Sequence, residues 1–217
     1  MYFVKDLFWR SLSFLQGCLA EYRKTRYNWE AGTGDALKKG FRKVNRKDLN
    51  QEMDEIMTIR KAKIEELQTV LEIFAIARGF MVSTGNPEQW GEVYPPEALI
   101  CHDIERGACY VAEADGQIEA VFMYAFEDDP DYQVIEDGKW LNEDSYGVVH
   151  RVASRGNIKG IGAKCMLWGF EQCKNLKMDT HEDNRVMQHV LEKNGFVRCG
   201  RVYVADGMPM IAYQKIC

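Results

Sequence analysis

A strand, a glycine-rich turn and a helix follow one another in the second half of the chain. Residue alternation predicts the strand over 146–153, and the helix is predicted over roughly 163–176. The glycines of the turn, Gly156–Gly162, let the backbone bend sharply and leave the first N–H groups of the helix uncovered. Lys159 adds positive charge to that of the helix dipole. These residues alone are equally consistent with a phosphate-binding loop and with a plain connector.

Spacing argues against two common phosphate-binding loops. A P-loop requires Gly-Lys followed by Ser or Thr, and the turn has no such run. The dinucleotide fingerprint requires a third small residue where Cys165 stands, together with an early βαβ unit.

The other elements predict a mixed α/β domain over residues 57–217. Helices are expected over 64–82, 97–105 and 184–193, and further strands over 58–62, 109–114, 118–125, 177–180, 197–204 and 208–215. Asp115-Gly116 and Asp206-Gly207 have the composition of tight hairpin turns. The order β-α-α-β-β-β-α-β-α-β-β predicts a mixed sheet flanked by helices, an α/β or α+β fold.

The charge distribution divides the chain. Residues 1–50 carry 11 Lys and Arg against 5 Asp and Glu, although the whole chain has a net charge of -5. This change of sign predicts a boundary near Gln51, with a basic helical extension over 1–56. Ser13 and Gln16 interrupt its apolar stretch, which disfavours a signal peptide. Two interpretations stay open: an amphipathic helix that packs on the main domain or a partner, or an accessory leader before a natural start at Met57.

Composition narrows the functional classes further. The chain has no run of 18 apolar residues, so no membrane-spanning helix is expected. Its acidic balance argues against a dedicated nucleic-acid binder. The 7 Cys are scattered without a CxxC pair, which favours reduced thiols in a cytoplasmic protein over disulfides or a zinc site.

Two motifs at a suitable separation carry a family resemblance. The loop Asn157-Ile158-Lys159-Gly160-Ile161-Gly162 follows the strand that contains His150-Arg151-Val152-Ala153. Further on, Asp179–Asn184 is followed by Lys193-Asn194-Gly195-Phe196. Together these runs resemble the GNAT superfamily of N-acetyltransferases, whose loop pattern is Arg/Gln-x-x-Gly-x-Gly/Ala. The resemblance covers residues 57–217, and it implies a GNAT-like, mostly antiparallel sheet and acetyl-CoA as cosubstrate, without a metal.

The resemblance also implies which residues hold acetyl-CoA. Backbone groups at the end of the fourth strand would bind the pantetheine, and the loop would bind the pyrophosphate. The implied cofactor-binding residues are Val152, Ala153, Asn157, Ile158, Lys159, Gly160, Ile161, Gly162, Ala163 and Asn184. Two positions depart from the family pattern. Asn157 stands where Arg or Gln is usual, and Leu191 stands where many members have the tyrosine that protonates the leaving thiolate.

Two residues are candidates for proton transfer. His150 could act as general base toward the acceptor amine, since histidine titrates close to neutral pH; a purely structural hydrogen bond is the alternative. Tyr203 could replace the missing acid, or it could simply pack in the sheet. Strict alternation would place His150 on one face of its strand, together with Val148 and Val152, and Arg151 on the other.

An acidic segment, residues 127–145, lies between two of the predicted strands. Its eight carboxylates stand against the single Lys139, which favours a cationic acceptor such as a small-molecule polyamine, an aminoglycoside-like compound or a lysine-bearing protein. A solvated charged loop is the alternative. The isolated His181 does not suggest a metal ligand set. The sequence leaves the oligomeric state open, with a homodimer among the alternatives. A catalytically silent acyl-CoA-binding regulatory module and a partner-binding role for the extension remain competing functions.

Overall fold

The computed structural model describes residues 57–217, which form a seven-stranded sheet with helices on its faces. The strands are β1 (Thr58–Lys61), β2 (Cys109–Ala114), β3 (Gln117–Ala125), β4 (Gly147–Ser154), β5 (Asn175–Thr180), β6 (Val197–Tyr203) and β7 (Pro209–Ile216). The helices are α1 (Leu67–Ser83), α2 (Glu97–Glu105), α3 (Ile161–Cys173) and α4 (Arg185–Lys193), with short 3-10 turns at Ile64–Glu66 and Pro130–Tyr132. The predicted fold class and element order are confirmed. The proposed basic extension lies outside the described residues and stays a prediction.

The boundary between α3 and β5 is the main difference from the predicted elements. The helix begins at Ile161, two residues early, and it ends at Cys173 rather than near residue 176. Lys174 terminates it with a left-handed backbone, φ 59°, a conformation that favours glycine. The sequence has no glycine at this position to mark the end of the helix, so it predicts helix as far as the apolar Leu176, which in the structure belongs to β5.

The strands are arranged in the order β1-β2-β3-β4-β5-β7-β6, and β4–β5 is the only parallel pair among them. The predicted hairpin turn at Asp115-Gly116 is confirmed, with both residues at positive φ, as such a turn requires. The helix α3 connects the parallel strands, since a parallel pair needs a crossover rather than a hairpin.

Three groups of buried side chains form the core. One lies where α3 and α4 cover the sheet, and it includes Val149, Met166 and Leu191. A second lies under α1 and α2. The third lies beneath the acidic segment and includes Val148 and the fully buried Tyr132. Tyr132, Ile135 and Trp140 anchor the acidic segment to this core, while most of its carboxylates are exposed to solvent.

None of the helices within residues 57–217 is both long and apolar enough to span a membrane.

Candidate active site

The parallel strands β4 and β5 pair over two residues and then separate. Gly147 is paired with Leu176 and Val148 with Lys177, and no further pairs join these strands within residues 57–217. Because β4 continues to Ser154 and β5 to Thr180, their facing edges form a cleft. Backbone N–H and C=O groups on these edges are free of sheet partners, so they can bind an extended ligand.

A β-bulge in β4 lies beside this cleft. His150 pairs with Met123 and Ala153 with Val121, so Phe122 faces two residues of β4, Arg151 and Val152. Arg151 has a left-handed backbone, φ 54°. The prediction of strict alternation is therefore wrong beyond His150.

The side chains show the effect of the bulge. Val152 packs with Val149 against the core beneath α3, whereas Val148 and Ala153 belong to the other two groups of buried residues. An extra residue in a strand reverses the facing of every side chain after it, and sequence alternation carries no sign of such an insertion.

The glycine-rich turn leads from β4 into the N-terminus of α3. Gly156 and Gly160 have φ values of 83° and 81°, and no atom lies within 4 Å of where their Cβ atoms would be. Gly160 is the N-cap residue of α3, so no side chain caps the helix. The N-terminus of this helix can therefore bind an anion through its unpaired N–H groups and the positive end of the helix dipole.

Three predicted residues of the turn have distinct environments. Asn157 donates from Nδ2 to the buried carboxylate of Glu119, at 3.0 and 3.3 Å from its two oxygens, which fixes the start of the turn. Ile158 packs against the core beneath α3, and Lys159 is exposed. Ile161, Gly162 and Ala163 lie in the first turn of α3, not in a loop before it.

Asn184 is the N-cap residue of α4. Its Oδ1 accepts a hydrogen bond from the N–H of Met187 at 3.0 Å. Its Nδ2 donates to Gln89 Oε1 at 2.8 Å, which connects the start of α4 to the segment between α1 and α2.

His150 lies between two carboxylates. Its Nε2 is 2.8 Å from Asp129 Oδ2, and its Nδ1 is 3.5 Å from Asp179 Oδ2. An ionised carboxylate only accepts hydrogen bonds, so Nε2 carries a proton in the shorter contact. Asp129 belongs to the acidic segment and Asp179 to β5, so the chain brings three distant elements together here.

Tyr132 joins this group through Asp179. Its hydroxyl donates to Asp179 Oδ2 at 2.6 Å, and its ring lies 5.7 Å from the imidazole of His150. Sequence reasoning missed Tyr132, Asp129 and Asp179 as members of the site. The Asp-Pro-Asp-Tyr run could have indicated an ordered turn, because Asp129 caps the short 3-10 turn that begins at Pro130.

Burial and neighbouring charge perturb several groups here. Burial would raise the pKa of Asp129, but the hydrogen bond and the charge of His150 lower it on balance. Burial, aided by the carboxylates of Asp129 and Asp179, raises the pKa of Asp131. Burial, with the nearby Asp179, holds the pKa of Tyr132 well above its ordinary range. At neutral pH the site therefore has clustered carboxylates and a protonated, hydrogen-bonded tyrosine.

The acidic segment is fastened to the sheet at several points. The N–H of Glu136 donates to the carbonyl of Arg201 on β6 at 2.8 Å, and the N–H of Arg201 returns a bond to Glu136. The buried Nζ of Lys177 lies 4.2 Å from the centroid of the Trp140 ring and 3.7 Å from that of Tyr146. Burial lowers the pKa of Lys177. These contacts hold the segment in place and with it the position of Asp129.

The remaining predicted residues lie elsewhere. Tyr203 is on β6, 38% exposed, and its hydroxyl donates to Glu136 at 3.0 Å rather than to the His150 group. Leu191, at the position of the usual family tyrosine, is fully buried in the core. His181 accepts a bond from the N–H of Asp183, and no cluster of ligands within residues 57–217 could hold a metal ion.

The buried cysteines have the character of core residues. Burial raises the pKa of the Cys109 and Cys165 thiols to about 12. Thiols of this kind are poor nucleophiles at neutral pH.

Comparison with known proteins identifies the family. A crystal structure of a GNAT-family acetyltransferase from Streptococcus agalactiae is 32% identical, with a TM-score of 0.67; the alignment covers 74% of this chain and 95% of the other. The chain belongs to the GNAT family. Its cleft, bulge and glycine-rich turn are thus parts of a GNAT acetyltransferase fold.

More distant GNAT structures share the fold. A GNAT-family acetyltransferase from Listeria monocytogenes is 17% identical with a TM-score of 0.56, and the match covers 73% of this chain and 94% of that one. A ribosomal-protein-alanine N-acetyltransferase from Brucella melitensis is 17% identical with a TM-score of 0.50, over 74% of this chain and 99% of its own. No protein-family model matches the sequence, and no curated protein matches it.

Proposed function

We propose that this protein is an N-acetyltransferase that transfers the acetyl group of acetyl-CoA to a primary amine by direct attack in a ternary complex. The observation that carries the proposal is the juxtaposition at β4: the strand borders the β4–β5 cleft, carries His150 between two carboxylates, and leads into the uncapped start of α3.

The residues of the cleft and turn suit acetyl-CoA. The backbone of β4 where it borders the cleft, at Val152 and Ala153, would bind the amides of the pantetheine arm. The turn from Asn157 to Ala163 would bind the pyrophosphate, because its glycines leave open space and the start of α3 supplies N–H groups. Asn184 would contact the cosubstrate from α4. Acetyl-CoA supplies an acyl group already activated as a thioester.

A backbone N–H beside the bulge is the group we assign to stabilise developing negative charge. Such a donor is held in place by the fold before the reaction, so it needs no reorganisation when charge develops. Positioning both substrates in one cleft would supply much of the remaining acceleration.

His150 is our candidate for the general base. A neutral imidazole that donates from Nε2 to Asp129 leaves Nδ1 able to take a proton from the acceptor ammonium, directly or through water. The resulting imidazolium would lie between the carboxylates of Asp129 and Asp179, which stabilise its charge. The neutral amine attacks the thioester carbonyl, the C–S bond breaks, and the proton that the attacking nitrogen sheds can pass to the leaving CoA thiolate. We do not propose Tyr203 as the acid, because it bonds to Glu136, whereas Tyr132 is the tyrosine in contact with the His150 group.

The acceptor we propose is a cationic amine of a small molecule or a lysine-bearing protein. Asp129, Asp131 and Asp179 concentrate negative charge around His150. Burial is the main cause of the raised pKa of Asp131, and the charges of Asp129 and Asp179 add to it. We place the reaction in the cytoplasm, on the evidence of the scattered thiols.

A silent acyl-CoA-binding module is the second candidate, and the buried Leu191 favours it, since the usual family tyrosine is missing. Release of free CoA thiol from acetyl-CoA separates the two functions when measured with spermidine, an aminoglycoside and a lysine peptide. An acetyltransferase releases thiol in proportion to one of these amines, and His150→Gln suppresses the release. A silent module binds acetyl-CoA and shows no amine-dependent release.

A further inference from the structure

Arg151 has an unusual backbone for its place in the sheet. Four non-glycine residues within 57–217 have positive φ: Asp115, Asp137, Arg151 and Lys174. Arg151 alone of these lies inside a strand; the others lie in turns or at the end of a helix. Left-handed backbone is unfavourable for a residue with a Cβ, so a strand does not adopt it without a contact that holds it.

The side chain of Arg151 makes that contact. Its Nη2 donates to Asp103 Oδ2 at 2.5 Å, and its Nη1 is 3.5 Å from the hydroxyl oxygen of Tyr94. Side-chain exposure is 11% for Arg151 and 2% for Asp103, so the ion pair is nearly dry. The remaining donor, Arg151 Nε, is buried and has no partner among the described residues.

Asp103 is itself held by a second arginine. Arg106 Nε donates to Asp103 Oδ1 at 3.3 Å, and Arg106 Nη1 donates to both oxygens of Glu127, at 2.8 and 3.0 Å. Glu127 begins the acidic segment. Through α2 this chain of charges therefore connects the bulge of β4 to the segment that brings Asp129 to His150.

These features are costly for stability. A left-handed arginine, a dehydrated ion pair and an unpaired buried donor all disfavour the folded state. Local strain of this kind persists where the surrounding structure fixes one backbone geometry. The geometry fixed here is the bulge formed by Arg151 and Val152.

We propose that Arg151 and Asp103 are positioning residues whose ion pair holds the β4 bulge and so aims the N–H of Val152 into the cleft. The inference rests on the proposed function, since that N–H group serves acetyl-CoA there. Neither residue touches the reacting atoms; each acts through the backbone of β4.

The test compares two double variants of the full chain, Asp103→Asn with Arg151→Gly and Asp103→Asn with Arg151→Ala. Both remove the two charges together, so neither leaves a buried charge unpaired. They differ by one Cβ atom, which matters mainly where the backbone is left-handed. Calorimetry gives the Kd for acetyl-CoA, kinetics gives kcat and KM separately, and thermal unfolding reports stability.

We expect the alanine double variant to bind acetyl-CoA about tenfold more weakly than the glycine double variant. The Kd of the glycine double variant should lie between that of the alanine double variant and that of the wild type. The matched control is Asp115, φ 51°, in the β2–β3 hairpin. Its alanine and glycine variants should differ in thermal stability and keep the wild-type Kd.

Equal, wild-type Kd and kcat in both double variants, with only stability reduced, would overturn the inference and leave the ion pair a structural one. Failure of the proposed function is distinguishable. A wild type that binds acetyl-CoA without amine-dependent thiol release would refute the acetyltransferase activity and leave the comparison of Kd values valid, whereas a wild type that binds no acetyl-CoA would refute both.

Discussion

His150 Nε2 lies 2.8 Å from Asp129 Oδ2, which joins β4 to the acidic segment through two residues that are 21 positions apart in the chain. The contact depends on the packing of the whole segment, because Tyr132 is buried three residues after Asp129 and also bonds to Asp179. The acidic segment therefore positions both carboxylates beside the proposed base: Asp129 belongs to it, and its Tyr132 bonds to Asp179.

Replacement of His150 by Gln tests its role as base. Glutamine can still donate to Asp129, so the fold and acetyl-CoA affinity should be retained. We expect kcat to fall by roughly 10²–10⁴-fold, the usual contribution of a general base. Steady-state kinetics with the best amine and calorimetry with acetyl-CoA check this. An unchanged kcat would leave His150 as a structural residue.

The two tyrosines can be separated by removing each hydroxyl. Tyr132→Phe deletes a buried bond to Asp179, so we expect a loss of about 1 kcal/mol in the free energy of unfolding and a lower kcat. Tyr203→Phe deletes an exposed bond to Glu136 and serves as the matched control, with little change in either quantity. Loss of activity in Tyr203→Phe alone would reinstate Tyr203 as the acid.

The contribution of Asp131 to the free energy of unfolding should depend on pH. Its raised pKa means that ionisation disfavours the folded state, so the penalty is absent below the ordinary pKa of about 3.9 and develops as pH rises through the folded pKa. Asp131→Asn should therefore stabilise the protein at pH 7, by roughly 0.5 kcal/mol, and not at pH 3. Thermal unfolding at both pH values measures the difference.

The same Asp131→Asn variant should bind a cationic acceptor less well. Its KM for that amine should rise several-fold at low salt, and less at high salt, because screening weakens the field of exposed charges. An equal stability gain at both pH values, or an unchanged KM, would contradict the electrostatic role of Asp131.

Substitution of Gly138 tests whether the acidic segment must pack closely against β6. A Cβ atom there would lie 1.9 Å from the carbonyl oxygen of Cys199, so Gly138→Ala would force the backbone of the acidic segment away from that of β6. We expect a loss of about 2–4 kcal/mol in the free energy of unfolding, together with reduced kcat, since the segment carries Asp129. Gly79→Ala is the control: nothing lies within 4 Å, and alanine in helix α1 should stabilise the protein by roughly 0.5–1 kcal/mol. A tolerated Gly138→Ala would show that the segment has freedom to shift.

Local signals in the sequence predicted most of the fold. Asp115-Gly116 predicted its hairpin, because a turn signal of this kind acts over a few residues. The end of α3 at Lys174 was missed because the left-handed residue there is not glycine.

The site was less predictable because long-range contacts create it. Arg151, in the bulge, is paired with Asp103, which lies 48 residues earlier in the chain. The pattern of residues within β4 does not indicate the bulge. Tyr132 and Asp179 are 47 residues apart, and neither stands in a motif that joins them. His150 can be proposed from the sequence because histidine titrates near neutral pH, whereas its partners can be identified only from the contacts in the folded chain.

The turn before α3 is the proposed binding site of acetyl-CoA. Calorimetric titration of the wild type, Gly162→Ala and Gly162→Glu tests it most directly. A Cβ at Gly162 meets only Val152 Cγ1, at 3.6 Å, so alanine fits without a clash, while glutamate adds a bulky negative charge beside the pyrophosphate site. We expect a Kd on the order of micromolar for the wild type and Gly162→Ala, and binding weakened at least about tenfold in Gly162→Glu. No binding to the wild type, or equal binding to all three proteins, would contradict the account.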